Sequence, residues 1–164
     1  MPLPEELVDA PVREKGRWFE DMRVGDRFDH HWGRTITRTD VILFSSLTHA
    51  HDPVTFNAEY ARSVGMEDVV PAALVFGVVF GLSVEDLSER GGAFLGVDGL
   101  RYHRPVRIGE TLTSHSEVLE TKASESRPGQ GIVTWRTTGM VQGDAPEPVV
   151  SFTRTNLIMR RTSA

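Results

Sequence analysis

The chain has 164 residues, of which 18 are Lys or Arg and 23 are Asp or Glu, so its formal net charge is −5 at pH 7. This length suits one domain with its own core. The acidic balance argues against a nucleic-acid-binding protein, because phosphate contacts need clustered positive charge. The lack of Cys excludes disulfides, Cys nucleophiles and thiolate metal sites. There is no long apolar run for a membrane span and no signal-peptide pattern, so we expect a soluble, cytoplasmic protein.

The N-terminal region has the composition of an arm. Residues 1–16 contain three prolines and several charges. We therefore expect one domain over residues 17–161, with a short C-terminal tail over 162–164. Apolar residues alternate weakly over 24–32, behind a Gly-Asp turn signal at Gly25, and this predicts the first strand.

Short helices follow the first strand. The Thr-Asp pair at 39–40 stands before an apolar group, which is the signal of a helix N-terminus. Pro53 disfavours a helical residue before it and marks 48–55 as a loop. A second short helix is predicted over 57–61, with Gly65 in the position of a C-terminal glycine.

The longest apolar segment predicts a central helix over residues 72–87, with Pro71 at its first turn. Its first half is apolar on almost every side, so the helix must be buried. Gly77 and Gly81 lie on one helix face. They either let another backbone approach closely or serve simple packing on a sheet, and we favour the packing.

The second half of the chain is rich in β-branched residues that alternate with polar ones. Turn signals divide it into four long strands, at 93–104, 110–122, 131–142 and 148–160. The order of elements predicts an α+β fold in which an antiparallel sheet wraps around one long buried helix. Because the sheet covers only one side of the helix, we expect a second copy to cover the rest.

Several separated blocks resemble the MaoC-like dehydratases, the (R)-specific enoyl-CoA hydratase family, and most of all its mesaconyl-CoA hydratase-like branch. The clearest is residues 44–61, FSSLTHAHDPVTFNAEYA, which is similar to the family's overhanging loop. The other blocks are GLSVEDLS at 81–88, FLGV at 94–97, PVRIGETL at 105–112, SRPGQGIV at 126–133 and SFTRT at 151–155. The similarity covers residues 17–161.

The resemblance implies a single hot-dog domain that acts on the thioester of coenzyme A or of an acyl carrier protein. It implies reversible addition of water to a short enoyl thioester, branched or dicarboxylic, with no cofactor beyond the CoA of the substrate. It also implies a homodimer or higher oligomer with the site at the subunit boundary. The amides of Ala72 and Ala73, at the start of the central helix, are the candidates to stabilise the charge on the thioester oxygen.

The chain departs from the family at the positions that transfer protons. Alignment on Pro53 puts Ala50 where the family has an acidic or amide residue, and Thr55 where it has a His. The functional interpretation is a relocated acid–base pair, Asp52 with His51 or His49, while Thr55 binds water or substrate. In an extended loop Asp52 would lie on the side of Ala50 and the two histidines on the other side. The alternative is an Asx-type turn of Asp52 at Pro53 with solvated histidines.

Basic residues near the end of the second strand are candidates for binding the CoA phosphates. Arg101, Arg104 and Arg107 form the cluster, and we select Arg104, because a guanidinium binds phosphate in a bidentate way. A solvated strand face is the alternative for all three. For His103, between Tyr102 and Arg104, we expect cross-strand packing.

We expect no metal site. His30 and His31 are adjacent on a strand and point to opposite faces, so they cannot easily share an ion. Two other functions stay open beside the hydro-lyase. One is an acyl-CoA thioesterase-like hydrolase, and the other is a catalytically degenerate hot-dog protein that binds a thioester or partners an active subunit.

Overall fold

An antiparallel sheet of five strands is the main element of the computed structural model, which describes residues 16–161. The strand order across the sheet is β1-β3-β4-β5-β2, so β1 and β2 form the two edges. Each predicted strand is present, displaced by a few residues at most. The predicted arm, apart from Gly16, and the C-terminal tail lie outside the described residues. The strands are β1 (Arg27–Thr35), β2 (Gly91–Tyr102), β3 (Thr111–Ala123), β4 (Gln130–Val141) and β5 (Glu147–Met159).

Helices fill the connection between β1 and β2, and a single 3₁₀ turn, Phe19–Asp21, precedes β1. Two of the helices have eleven residues, and the other three are one or two turns long. They are α1 (Arg38–Thr48), α2 (Pro53–Phe56), α3 (Ala58–Ser63), α4 (Ala72–Leu82) and α5 (Val84–Leu87).

The first helix begins earlier than the sequence predicts. Thr37, and not the pair at 39–40, is the N-cap of α1, and Asp40 stands at the third helical position. The Thr37 side chain accepts a hydrogen bond from the Asp40 amide, while Asp40 Oδ2 accepts one from the Thr37 amide at 2.8 Å. This reciprocal capping box satisfies two amides that lack helical partners. The sequence-based prediction chose the pair at 39–40 because Thr and Asp are themselves common N-cap residues.

The predicted loop over 48–55 is shorter than expected. Helix α1 continues to Thr48, and His49 ends it in the left-handed region with φ +50°. Pro53 opens α2, because Asp52 caps that helix and proline is well suited to the first helical position. The second predicted helix is confirmed as α3, and Gly65 follows it with φ +67°.

The central helix is also shorter than predicted. It ends at Leu82, because the Ser83 hydroxyl donates to the Phe80 carbonyl at 2.7 Å, and the rest of the apolar segment forms α5. Helix α4 contacts β1, β3, β4 and β5, so the sheet covers one of its sides. The core around it consists of Ile36, Val41, Val70, Val75, Val79, Val106, Leu112, Val149, Val150 and Phe152.

The opposite side of α4 is open. Ala73, Gly77 and Gly81 are exposed there, beside a concavity that Trp32 and Phe44 also line. No atom lies within 4 Å of a Cβ built on either glycine, so the prediction that these glycines pack on the sheet is wrong. They lie on the face of α4 that the sheet leaves uncovered. Within residues 16–161, no helix has both the length and the apolar character needed to cross a membrane.

Candidate active site

A cavity of about 380 Å³ lies at the N-terminal end of α4, and we call it the helix-tip cavity. Side chains from three segments line it, within 52–55, 66–75 and 102–106. Backbone hydrogen bonds fix the second segment against the third, since the Val70 amide donates to the Val106 carbonyl at 2.8 Å and Val69 forms a bridge with Arg107. The start of α4 is therefore held beside the end of β2.

The first turn of α4 leaves backbone donors without helical partners. The amides of Leu74 and Val75 donate to the Pro71 carbonyl, at 2.9 and 3.1 Å, and the two amides before them precede the first intrahelical bond. Pro71 offers no capping side chain and the turn holds no acidic residue. Ala72 lines the cavity, whereas Ala73 is exposed outside its lining. This helix end favours a negative charge in the cavity.

Asp52 and Thr55 both line the helix-tip cavity, and each is also engaged in the local backbone. Asp52 Oδ1 accepts a hydrogen bond from the Val54 amide at 3.2 Å, as the N-cap of α2. The Thr55 hydroxyl donates to the Asp52 carbonyl at 2.9 Å. The Asx-type turn, which the sequence offered as the alternative, is therefore present, and Asp52 still lines the cavity from it.

The two histidines of the loop lie elsewhere. His49 and His51 line a second concavity of about 360 Å³, the histidine concavity, together with Ala50 and Phe56. The His51 ring lies 5.6 Å from the Phe56 ring, centroid to centroid. Ala50 is thus on the histidine side and not on the side of Asp52, contrary to our expectation. The alternation of an extended loop does not apply, because His49 is left-handed and Asp52 already begins a helical turn.

Arg104 lines the helix-tip cavity, but carboxylates of the protein already surround its guanidinium. Nη2 lies 2.9 Å from Glu110 Oε1, and Nε lies 3.0 Å from Glu147 Oε2. The hydrogen bonds that Arg104 donates to Glu110 raise the pKa of Arg104 above its ordinary value. Burial alone would raise the pKa of Glu110. The hydrogen bonds that Arg104 and Arg107 donate to it have the larger combined effect, so the pKa of Glu110 lies below its ordinary value. The charge of Arg104 is therefore largely neutralised by Glu110 and Glu147.

Two lining residues were not selected from the sequence. Tyr102 and His103 follow one another at the end of β2, and both line the helix-tip cavity. Burial raises the pKa of the Tyr102 hydroxyl. His103 Nε2 lies 2.9 Å from Ser151 Oγ, so the expected cross-strand contact does exist, and it holds a side chain that also lines the cavity. The sequence around them gives no signal of the cavity, because the other segments that line it are distant in the chain.

A separate buried chain of polar groups lies under α5, away from the cavity lining. His30 Nδ1 is 2.7 Å from Asp86 Oδ2, and its Nε2 is 2.9 Å from Ser116 Oγ, which in turn meets Thr137 Oγ1 at 2.8 Å. Burial lowers the pKa of His30, although the contact with Asp86 opposes this. Among the residues that the structure describes, no group of three His, Cys, Asp or Glu side chains is placed to hold a metal ion.

Both the sequence and the fold are similar to those of proteins of known family. The family model described as mesaconyl-CoA hydratase matches residues 4–164. The chain belongs to this family. It is 41% identical to the mesaconyl-CoA hydratase of Haloarcula marismortui over 162 residues, which cover 98% of this chain and 45% of that protein. The chain therefore spans about half the length of the curated relatives that it matches.

Solved structures agree with this assignment and confirm the predicted hot-dog fold. A MaoC domain dehydratase protein from Chloroflexus aurantiacus matches with TM-score 0.83 and 33% identity, over 90% of this chain and 41% of that one. A Mycobacterium tuberculosis protein described as having a double hot-dog fold matches with TM-score 0.81 and 25% identity, over 91% of this chain and 46% of that one. In both cases this chain matches about half of a longer chain.

Proposed function

We propose that the chain takes part in the reversible hydration of a short enoyl-CoA whose acyl group is branched or dicarboxylic, and that the thioester binds in the helix-tip cavity. Membership of the mesaconyl-CoA hydratase family supports the reaction class. The single observation that supports the location is the open first turn of α4, whose end lies at a cavity with an apolar wall.

The chemistry of hydration matches this site. The water oxygen bonds to the β-carbon and loses one proton to a base, while the α-carbon takes a proton, and the double bond becomes single. Between these events the thioester oxygen carries the negative charge of an enolate. The amides of Ala72 and Ala73 are proposed as the donors that stabilise this charge, an effect that often contributes a factor of about 10²–10³ in rate per donor.

Proton transfer is proposed for Asp52, with Thr55 beside it to bind the water or the acyl group. Both side chains line the cavity. His51 and His49, the partners that the sequence suggested, line the histidine concavity, so pairing with Asp52 requires the loop to rearrange. Arg104 is retained at the rim as a contact for CoA, in competition with its own carboxylates.

A second candidate gives the chain the binding role only. In the alignment on Pro53 that the resemblance implies, Ala50 and Thr55 stand at the family's proton-transfer positions. Asp52 Oδ1 is also engaged as a helix cap. The curated relative is about twice as long, which leaves space for a second domain in it. In this candidate a second hot-dog domain provides the acid and the base, while this chain binds the thioester.

The test follows the absorbance of the conjugated thioester when purified protein is mixed with crotonyl-CoA or mesaconyl-CoA. Turnover by this chain alone supports the lead proposal. Binding without turnover supports the second candidate. Release of free CoA thiol from a saturated acyl-CoA would instead assign a thioesterase. Failure to bind or convert any enoyl-CoA of a broad panel would contradict both hydratase proposals.

The Asp52→Asn variant tests the proton-transfer role, because Asn caps a helix about as well as Asp but cannot transfer the proton. We expect a loss of about 10²-fold or more in kcat, with little change in Tm. His51→Gln measured beside it reports whether the histidine concavity participates. An unchanged kcat in Asp52→Asn would remove Asp52 from the mechanism.

A further inference from the structure

The helix-tip cavity has one polar corner, at the end of β2, whereas most of the rest of its lining is apolar. Most lining side chains are apolar, among them Val54, Val70, Val75 and Val106. An uncharged acyl chain fits such a wall. A second carboxylate on the acyl group would instead lose its hydration there without gaining a partner, which is costly unless a donor or cation is present.

His103 is the lining residue that offers such a partner. Of the described residues that line the cavity, His103 and Arg104 can carry a positive charge. Arg104 is already paired with Glu110 and with Glu147. Asp52, which lines the same cavity, is an anion, and its Oδ1 is satisfied by the Val54 amide. His103 has no carboxylate partner within the described part of the chain.

His103 is held against β5 by one backbone contact and one contact of its ring. Its backbone amide donates to the Val149 carbonyl at 2.9 Å, and its Nε2 lies 2.9 Å from Ser151 Oγ, so both contacts are with β5. The serine hydroxyl can accept from the ring or donate to it, because a hydroxyl does both. When the hydroxyl donates to Nε2, the neutral ring carries its proton on Nδ1 and can donate it to a ligand; when Nε2 is the donor, Nδ1 carries a proton only in the protonated ring. Nδ1 has no hydrogen-bond partner among residues 16–161.

We propose that His103 is a specificity-determining residue that binds the distal carboxylate of a dicarboxylic enoyl thioester. The inference rests on the proposed function, since the thioester must occupy the helix-tip cavity. With the thioester carbonyl at the tip of α4, the acyl group lies in the same cavity that Tyr102 and His103 line. The His103 ring would then donate a hydrogen bond to the distal carboxylate, an interaction that an uncharged acyl group cannot make. The chain would therefore select dicarboxylic over uncharged short enoyl thioesters.

The experiment compares mesaconyl-CoA, which carries the second carboxylate, with crotonyl-CoA, which does not. The readout is the ratio of kcat/KM for the two thioesters, or the ratio of their Kd values if the chain binds without turnover. We expect His103→Gln to lower this ratio about tenfold or more with crotonyl-CoA nearly unaffected, because a hydrogen bond to a charged group contributes on this scale. His103→Lys should keep most of the preference, and Ser151→Ala should reduce it by less than His103→Gln.

His115→Gln is the matched control, because His115 lies on β3 among residues that alternate with buried ones and does not line the cavity. Its ratio should equal that of the wild type. An unchanged ratio in folded His103→Gln, or an equal loss for both thioesters, overturns the specificity role while leaving the hydratase proposal intact. If the wild type neither binds nor converts either thioester, the proposed function fails and the role of His103 fails with it.

Discussion

His30 is the residue whose environment gives the clearest pH dependence. It is buried beneath α5, and burial lowers its pKa below the ordinary value of 6.5 in spite of the contact with Asp86. Arg154 and His115 also lower it through their charges. The unfolded chain therefore binds a proton at a higher pH than the folded one. By linkage, the free energy of unfolding must fall as the pH drops below about 6.5.

We expect the His30→Gln variant to lose this pH dependence, although it is less stable at pH 7.5 because the buried contacts with Asp86 and Ser116 change. Urea unfolding at pH 7.5 and at pH 5.5 measures the change in the free energy of unfolding between the two pH values. The wild type should lose more stability between the two than His30→Gln does. His49→Gln, at the exposed C-terminal end of α1 and not among the groups that shift the pKa of His30, should keep the pH slope of the wild type. Equal pH slopes in wild type and His30→Gln would contradict this assignment.

Single-residue features are easiest to predict from the sequence where the decisive partner is local. The Asx turn of Asp52 depends on Pro53 and Val54 and could be anticipated from the sequence. His103 could not, because its place at the cavity depends on Ser151 and on the segment before α4, which are distant in the chain. A lone histidine in a strand pattern carries no signal of what the other strands bring beside it.

At the scale of elements, the capping box of α1 corrects the predicted helix start and can be tested directly. Thr37→Ala should reduce the free energy of unfolding by about 1 kcal/mol, because the Asp40 amide loses its acceptor. Thr39→Ala removes the residue that the sequence suggested as part of the cap, and it should have little effect. Thermal or urea unfolding of both variants decides between the two positions, and a larger loss at Thr39 would restore the original prediction.

The contact between α4 and the sheet depends on a glycine in β4. A Cβ at Gly139 would lie 2.5 Å from Val79 Cγ2 and 3.0 Å from Val150 Cγ1, which is too close for buried side chains. We expect Gly139→Ala to lower the free energy of unfolding by about 1–3 kcal/mol through overpacking. Gly143→Ala, in the turn before β5 where no atom lies within 4 Å, is the control and should be nearly neutral. A neutral Gly139→Ala would mean that α4 can move away from the sheet without cost.

The strands were easier to predict than the helices. Alternation fixed the strands to within a few residues, because one face of the sheet is buried along its length. The helices end where single side chains act, as Ser83 does at the end of α4. The apolar composition of 72–87 continues through that residue, so hydropathy alone could not separate α4 from α5.

At the scale of the whole molecule, β2 leaves an open sheet edge with apolar side chains. Phe94, Leu95 and Leu100 are 52%, 51% and 43% exposed on this strand. An unpaired edge of this kind invites a further strand. We propose that a second hot-dog domain pairs here, and a second copy of the chain is the simplest occupant. The sequence analysis expects such a copy, but on the side of α4 that the sheet leaves uncovered.

Light scattering on the purified chain tests this pairing. We expect a species of about twice the chain mass of 18.2 kDa, and Leu95→Glu should shift it toward the monomer, because a charge would be buried at the new contact. Val24→Glu, which alters a side chain that is 64% exposed outside the sheet strands, should leave the dimer intact. A monomeric wild type would favour a non-identical partner domain.

The central claim is that a thioester carbonyl lies at the tip of α4, and a crystal structure of the complex with butyryl-CoA, which has no double bond to hydrate, tests it most directly. We expect the thioester oxygen to accept a hydrogen bond from the amide of Ala72 or Ala73, with the acyl group in the helix-tip cavity. An acyl group bound in the histidine concavity, or bound CoA with the helix-tip cavity empty, would contradict the account.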